Sequence, residues 1–141
     1  MKRETVVAGS FYPGTPSILN EELGKYIPSS GTKKKAVGLI APHAGYVFSG
    51  RCAGKGFGSV VIPGTVIILG VNHHGIGHPF AVDGHDSWKT PLGEVQIAKE
   101  LGEKLTASSA IFKVDTIASS KEHSIEVQAP FIQYINPNAR I

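Results

Sequence analysis

Two short apolar runs, each ending in a histidine, constrain this chain more than any other feature. Ala36-Val37-Gly38-Leu39-Ile40-Ala41 leads into Pro42-His43-Ala44-Gly45-Tyr46. Thr65-Val66-Ile67-Ile68-Leu69-Gly70 leads into Val71-Asn72-His73-His74. Both runs have the length and content of a buried strand. A helix predicted from near Ser49 to Ser59 separates them, with Ala53, Phe57 and Val60 on one face. Strand, helix and strand make the β-α-β pattern of a parallel sheet. In such sheets ligands collect outside the carboxyl ends of the strands. Both histidines would then reach one rim, and a metal or catalytic pocket is the expectation.

The rest of the chain fits an α/β fold. Thr15-Pro16 reads as a helix start, with a capping hydroxyl and proline at the first helical position. Leu19, Leu23, Tyr26 and Ile27 follow at helical spacing, and Pro28-Ser29-Ser30-Gly31 stops the run. Gly54, Gly56 and Gly58 weaken the second helix unless close packing on a sheet, or a distortion of the helix, explains them. Residues 71–93 form a long Gly/His/Asp-rich excursion with a short strand near Phe80-Ala81-Val82. Excursions of that length are usually functional. A third helix is predicted over 98–106, a strand over 111–114 and a fourth helix over 124–135. Pro130 either bends that last helix or marks its first turn.

With 141 residues the chain reads as one domain. Its net charge of +3 is not gathered into a stripe. Lys33-Lys34-Lys35 is the single basic run, set in a Ser/Gly/Thr loop without interleaved aromatics, so no nucleic-acid partner is expected. Cys52 is alone and excludes an intramolecular disulfide. No apolar run approaches the ~20 residues of a membrane span, and the first residues lack a signal-peptide core. A cytoplasmic protein without membrane contact is expected.

Neutral imidazole is the commonest protein metal ligand. Histidines on neighbouring strand ends, about 4.8 Å apart, can share one ion, which makes His43 and His73 the first choices. His74 is an alternate ligand or an outer group. His123, in Lys121-Glu122-His123-Ser124-Ile125-Glu126, is a third ligand or the general acid/base, oriented by Glu122 or Glu126. The competing reading is that strand-end histidines serve as hydrogen-bonded structural groups. His78 and His85 read as exposed and idle. Tyr12, Tyr46 and Trp88 either line a pocket or simply pack. Ser10 and Ser49 lack the flanks of a nucleophile elbow. Gly54-Lys55 resembles the end of a phosphate-binding loop, but Ser49 and Gly56 stand where that motif needs Gly and Ser/Thr. The dinucleotide fingerprint fails at Ser59, so no nucleotide cofactor is expected.

Five segments together resemble the Memo family. They are Val7-Ala8-Gly9-Ser10-Phe11-Tyr12-Pro13, Ala41-Pro42-His43-Ala44-Gly45-Tyr46 with Ser49-Gly50, and Leu69-Gly70-Val71-Asn72-His73-His74. Thr90-Pro91-Leu92-Gly93 and Glu122-His123-Ser124-Ile125-Glu126 with Pro130-Phe131 complete the set. Microbial members are also called AmmeMemoRadiSam system protein B. The resemblance implies a three-layer, mostly parallel α/β sheet flanked by helices, similar to class III extradiol dioxygenases, which use non-haem Fe(II). It implies His43 and His73 as ligands of Fe(II) or another divalent metal. It places His123 as the further, catalytic histidine, with Ser10, Tyr46, Asn72, His74 and Glu122 around the pocket. Asn72 and Val71 replace the family's usual Ser and Pro. Members run to about twice this length, so residues 1–141 are expected to be the N-terminal part of a single Memo-like domain. An open sheet edge and self-association are the consequence expected of that.

The functions implied are an extradiol-type, metal-dependent oxidoreductase with a small-molecule substrate, or a non-catalytic scaffold whose vestigial pocket accepts a peptide. A role beside a radical S-adenosylmethionine partner protein is the third. The chain has no Cys-x-x-x-Cys-x-x-Cys cluster and is not that radical enzyme itself.

Overall fold

The computed structural model describes residues 1–141. Its elements in order are β1 (Lys2–Arg3), α1 (Pro16–Tyr26), α2 (Tyr46–Ser59), β2 (Ala81–Asp83), β3 (Ser87–Thr90), β4 (Gly93–Gln96), α3 (Lys99–Ser108), β5 (Lys113–Asp115) and α4 (Ala129–Ile135). The fold is mixed α/β. One sheet has the order β1-β3-β4, with β1 parallel and β4 antiparallel to β3. The other pairs β2 with β5 in parallel.

The core lies where α1, α2 and α4 meet. Leu19 and Leu23 turn from α1 into it, Ala53 and Phe57 from α2, and Phe131 and Ile132 from α4. Phe57 and Phe131 stack with centroids 5.3 Å apart and rings 4° from parallel. Of the α2 glycines expected to pack on a sheet or distort the helix, Gly54 instead meets the end of α1, Gly58 meets Ile27 and Pro28 just after it, and Gly56 faces Leu39. A Cβ at Gly54 would lie 2.6 Å from the backbone of Tyr26 on α1. Pro130 falls in the first turn of α4, where the missing N–H costs nothing. The fourth helix is therefore shorter than the expected 124–135, and residues 124–128 form turns ahead of it.

Buried polar contacts pin the N-terminal segment to those turns. Glu126, 1% exposed, accepts hydrogen bonds from the backbone N–H groups of Val6 and Val7, from the Tyr12 hydroxyl and from the Arg3 guanidinium. Arg3 also donates to the carbonyls of Ser119 and Glu122. Its guanidinium lies 4.0 Å above the Trp88 ring. The Tyr12 phenol is pushed up, first by burial and then by the Glu126 charge.

The two apolar runs differ from expectation. Residues 36–41 and 66–71 form no regular strand and belong to neither sheet, and the first run bends at Val37. Each run is touched by an isolated bridge near its start, Lys34 to Val60 and Thr65 to Arg140. Val37, Ile40 and Leu69 are almost fully exposed. An apolar run specifies a segment that gains by burial, but a ladder also needs a neighbouring backbone, and beyond the single bridges none pairs with either run. The sheets are accordingly small, and one is mixed rather than parallel. The hairpin β3–β4 had no sequence signal strong enough to be read. No helix is long and apolar enough to cross a membrane.

Candidate metal centre

Three segments converge on one rim. The residues leading to His43 are held from below, where the Gln128 side-chain amide donates to the Pro42 carbonyl at 2.9 Å. Just beyond, the Tyr46 hydroxyl donates to the Val127 carbonyl at 2.8 Å. His73 follows the second apolar run. Gly70 crosses so close to the 124–125 turn that a Cβ there would sit 2.6 Å from Ser124 Oγ. Only glycine permits that approach. Ser124 Oγ closes it by donating to the Val71 carbonyl at 3.1 Å. His123 stands on the turn that leads into α4.

The three imidazoles lie together, His73 and His123 stacked 12° from parallel and His43 tilted 60° and 61° to them. Ring centroids are 4.6 Å apart for His73–His123, 5.2 Å for His43–His73 and 6.1 Å for His43–His123. A zinc-like ion sits about 2.1 Å from each ligating nitrogen, hence about 3.2 Å from each ring centre. Two ligands at right-angle to tetrahedral geometry then have centroids about 4.5–5.2 Å apart. The two shorter separations fall in that range and the third is wider, but the His73 and His123 rings are stacked 12° from parallel, so one of them must turn before both nitrogens can reach one ion. The tightest grouping of ligand atoms takes one each from His73, Glu122 and His123, all within 4.8 Å of one another.

Glu122 defines the chemistry. Its Oε1 accepts from His73 Nδ1 at 2.8 Å and from the backbone N–H groups of His123 and Ser124, each at 2.8 Å. Its Oε2 accepts from the His73 backbone N–H at 2.6 Å. Burial works to raise this carboxyl, but the Ser124 and His73 donors outweigh it and hold it down at about 2. An ionised Glu122 makes Nδ1 of His73 the protonated nitrogen and leaves Nε2 with its lone pair free. That is the outer carboxylate–histidine arrangement of metal sites. Glu122 or Glu126 was expected to orient His123; the Glu122 contact with that ring is longer, 3.8 Å, and Glu126 is bonded to Arg3, Tyr12 and the N–H groups of Val6 and Val7. His123 is lowered by burial first, against the opposing pull of Glu122, with His73 and His43 adding to the lowering. It is thereby favoured in the neutral form a ligand requires.

The other expected residues are placed differently. Ser10 is exposed and donates from Oγ to the Val7 carbonyl within its own turn. Tyr46 is core, its ring 4.8 Å from that of Phe131 and tilted 43° to it, and burial pushes its phenol far up. Asn72 is half-buried and donates to the Ile76 carbonyl at 2.8 Å, so it shapes the turn after the rim. His74 is exposed and outside the cluster. His85 is not idle at the surface: it is buried and bonds Asp83 through Nδ1 at 2.9 Å. His78 is half-buried and accepts from the Phe80 N–H. Alternating polar residues in a Gly-rich stretch gave no sign of that burial. Phe11 and Gln128 were not expected at the site. Phe11 meets His123 edge-on at 4.8 Å, and its place in the Val7–Pro13 motif was the available signal.

A sequence model described as "Memo-like protein" matches residues 3–141. The chain belongs to the Memo family. Its Memo relatives include a MEMO1 family protein of Thermococcus onnurineus, 43% identical over 145 residues, which cover 99% of this chain and 50% of the relative. The MEMO1 family protein of Methanosarcina barkeri is 44% identical over 133 residues, 94% of this chain and 49% of that protein. That of Methanothermobacter thermautotrophicus is 40% identical over 153 residues, 100% and 55% respectively. This Memo chain thus spans about half the length of the curated relatives it matches.

Proposed function

We propose that His43, His73 and His123 form a divalent-metal pocket, with His73 fixed by Glu122. The observation that carries this reading is the gathering of His73, Glu122 and His123, whose ligand atoms lie within 4.8 Å of one another, with the Glu122–His73 Nδ1 bond leaving Nε2 of His73 free. The donor set suits the metal: His73, Glu122 and His123 bring their ligand atoms within 4.8 Å of one another, burial favours the neutral form of His123, and a turn of one of the two stacked rings brings both nitrogens onto one ion. Imidazole with a nearby carboxylate is the ligand chemistry of non-haem Fe(II), and of Zn²⁺. A bound ion would supply Lewis acidity and open coordination positions.

The residues of this chain have separable roles in that reading. Glu122 sets the tautomer of His73 and neutralises part of the ion's charge. Phe11 supports the His123 ring and keeps water from one face. Gln128 holds the His43 segment in place. The Memo resemblance extends the reading to the three-layer sheet and ring-cleaving chemistry of extradiol dioxygenases, and to a modification pathway shared with a radical S-adenosylmethionine protein. Those belong to the whole Memo protein.

Anaerobic titration with Fe(II), and separately with Co(II) followed by its visible absorption, tests the pocket. One equivalent should bind wild type. His73→Ala and His123→Ala should each weaken binding at least tenfold, and Glu122→Gln by about 10–100-fold. Affinity should fall as pH drops, because protons compete for imidazole. Equal, weak binding by wild type and both histidine variants would sink the reading.

A further inference from the structure

We propose that Arg3 is a positioning residue of the histidine rim: without touching an imidazole, its guanidinium fixes the peptide unit that joins Glu122 to His123. It thereby sets the carboxylate that grips His73. The inference rests on the divalent-metal reading of the rim and adds the group that fixes its geometry.

The guanidinium is spread over one stretch of chain. Nε donates to the Ser119 carbonyl and Nη1 to Glu126 Oε2, each at 2.8 Å, and Nη2 donates to the Glu122 carbonyl. These acceptors stand at the start, middle and end of residues 119–126, the turn that carries Glu122 and His123. A planar fork with fixed N–H directions holds three such points in one arrangement. The plane itself is set from its other face. Arg3 pairs with Trp88 in the β1–β3 register, and its guanidinium carbon lies 4.0 Å from the centre of the Trp88 ring. Nη1 also donates to the Glu4 carbonyl at 3.2 Å, which ties the fork to its own segment.

Pairing with Glu126 is the plainer role for a buried arginine, and the bonds go beyond it. Charge compensation takes Nη1 alone. Nε and Nη2 are directed at neutral carbonyls instead, and the Glu122 carbonyl has no other hydrogen-bond partner. Glu126 is meanwhile held by the N–H groups of Val6 and Val7 and by the Tyr12 hydroxyl. A buried ion pair is weak evidence for stability by itself. Fixed geometry is what the two additional bonds supply.

The path to the rim is one peptide unit long. That unit is planar and rigid. Its carbonyl is held by Arg3, and its N–H, which belongs to His123, donates to Glu122 Oε1 at 2.8 Å. The same carboxylate oxygen accepts from His73 Nδ1 at 2.8 Å. A tilt of the plane therefore moves the His123 backbone and the carboxylate together, relative to His73. The N-terminal segment meets the rim a second time through Phe11, edge-on to His123 at 4.8 Å.

The test uses residues 1–141, with Co(II) as the metal probe. Arg3→Lys keeps the charge facing Glu126 and loses the fork. It should weaken Co(II) binding about 3–10-fold, less than a change at Glu122 itself because it acts one bond further out. The visible absorption of bound Co(II) should shift as well. Gly54→Ala, which lowers Tm through the α1–α2 contact, should keep wild-type affinity and spectrum. In metal-free protein the His73 Nδ1–H signal should exchange with water about tenfold faster in Arg3→Lys than in wild type. Coupling is reciprocal, so Glu122→Ala should likewise speed exchange of the Arg3 guanidinium N–H groups, a measurement that stands even where Arg3→Lys fails to fold. If wild type takes up no Co(II), the metal reading falls, and the two metal-free exchange measurements alone decide whether Arg3 positions the rim. Arg3→Lys with wild-type affinity, spectrum and His73 exchange overturns the proposal. So does unchanged Arg3 exchange in Glu122→Ala.

Discussion

The side of the molecule built by α1, α2 and α4 and the side built by residues 36–41 and 66–71 are made of similar residues with opposite fates. Leu19, Leu23, Phe131 and Ile132 are buried almost completely. Val37, Ile40 and Leu69 are almost completely exposed. Hydropathy does not separate the two groups; backbone bookkeeping does. A helix satisfies its own N–H and C=O groups and needs a partner only for one apolar face. An extended segment needs neighbouring backbone on both edges before its side chains can be covered. Three helices close a core, and two unpaired apolar runs do not.

Removing the polar hub of the packed side should have the largest effect. Glu126→Ala leaves Arg3 buried without its carboxylate, and should cost about 3–5 kcal/mol in urea unfolding. A loss under about 1 kcal/mol would mean the hub is not what pins the N-terminal segment. Phe131→Ala removes the ring stacked on Phe57 and should cost about 3–5 kcal/mol by the same measurement. Gly54→Ala forces α2 off Tyr26 and should cost about 1–3 kcal/mol, visible as a lower Tm. If Gly54→Ala were stabilising, the close helix contact would be refuted.

Acid sharpens the comparison at the rim, where the two sides meet. The Glu122 carboxyl is lower in the folded protein, about 2, than its ordinary 4.5. Its contribution to stability is therefore complete above about pH 4.5 and is lost as pH falls toward 2. Metal-free wild type should lose more stability between pH 5 and pH 3 than Glu122→Gln does. Parallel pH profiles for the two would contradict the donor set described for this carboxylate.

The smallest effect belongs to the open side. Ile40→Ser should change unfolding free energy by no more than about 0.5 kcal/mol, yet reduce self-association in sedimentation. A loss comparable with Phe131→Ala would show that residues 36–41 are covered in solution and would break the comparison outright.

Much of the site was legible because its signals are local. The two histidine-terminated runs and the Glu122–Glu126 segment announced themselves by residue type and spacing, and the structure brings His43, His73 and His123 together. Helix positions at Leu19 and Leu23 followed from periodicity, and Pro130 marked a first turn as one of two readings foresaw. What was not legible depended on contacts distant in sequence. Nothing near Glu122 says that it grips His73, 49 residues away, more closely than the adjacent His123. Nothing near His85 says that Asp83 and burial claim it. Tyr46 and Ser10 share motifs with pocket residues but point to the core and to a local turn.

Residue pattern alone thus determined which segments are helical, which are apolar, and which side chains carry imidazole and carboxylate groups near one another in sequence. Those properties are set by dihedral preference, periodicity and donor chemistry within a few residues. Tertiary structure alone decided which glycine admits a close crossing, which carboxylate fixes which imidazole, and which apolar segments are covered. Each of those is a pairing between distant parts of the chain, and a pairing exists only where the folded backbone places both partners within reach.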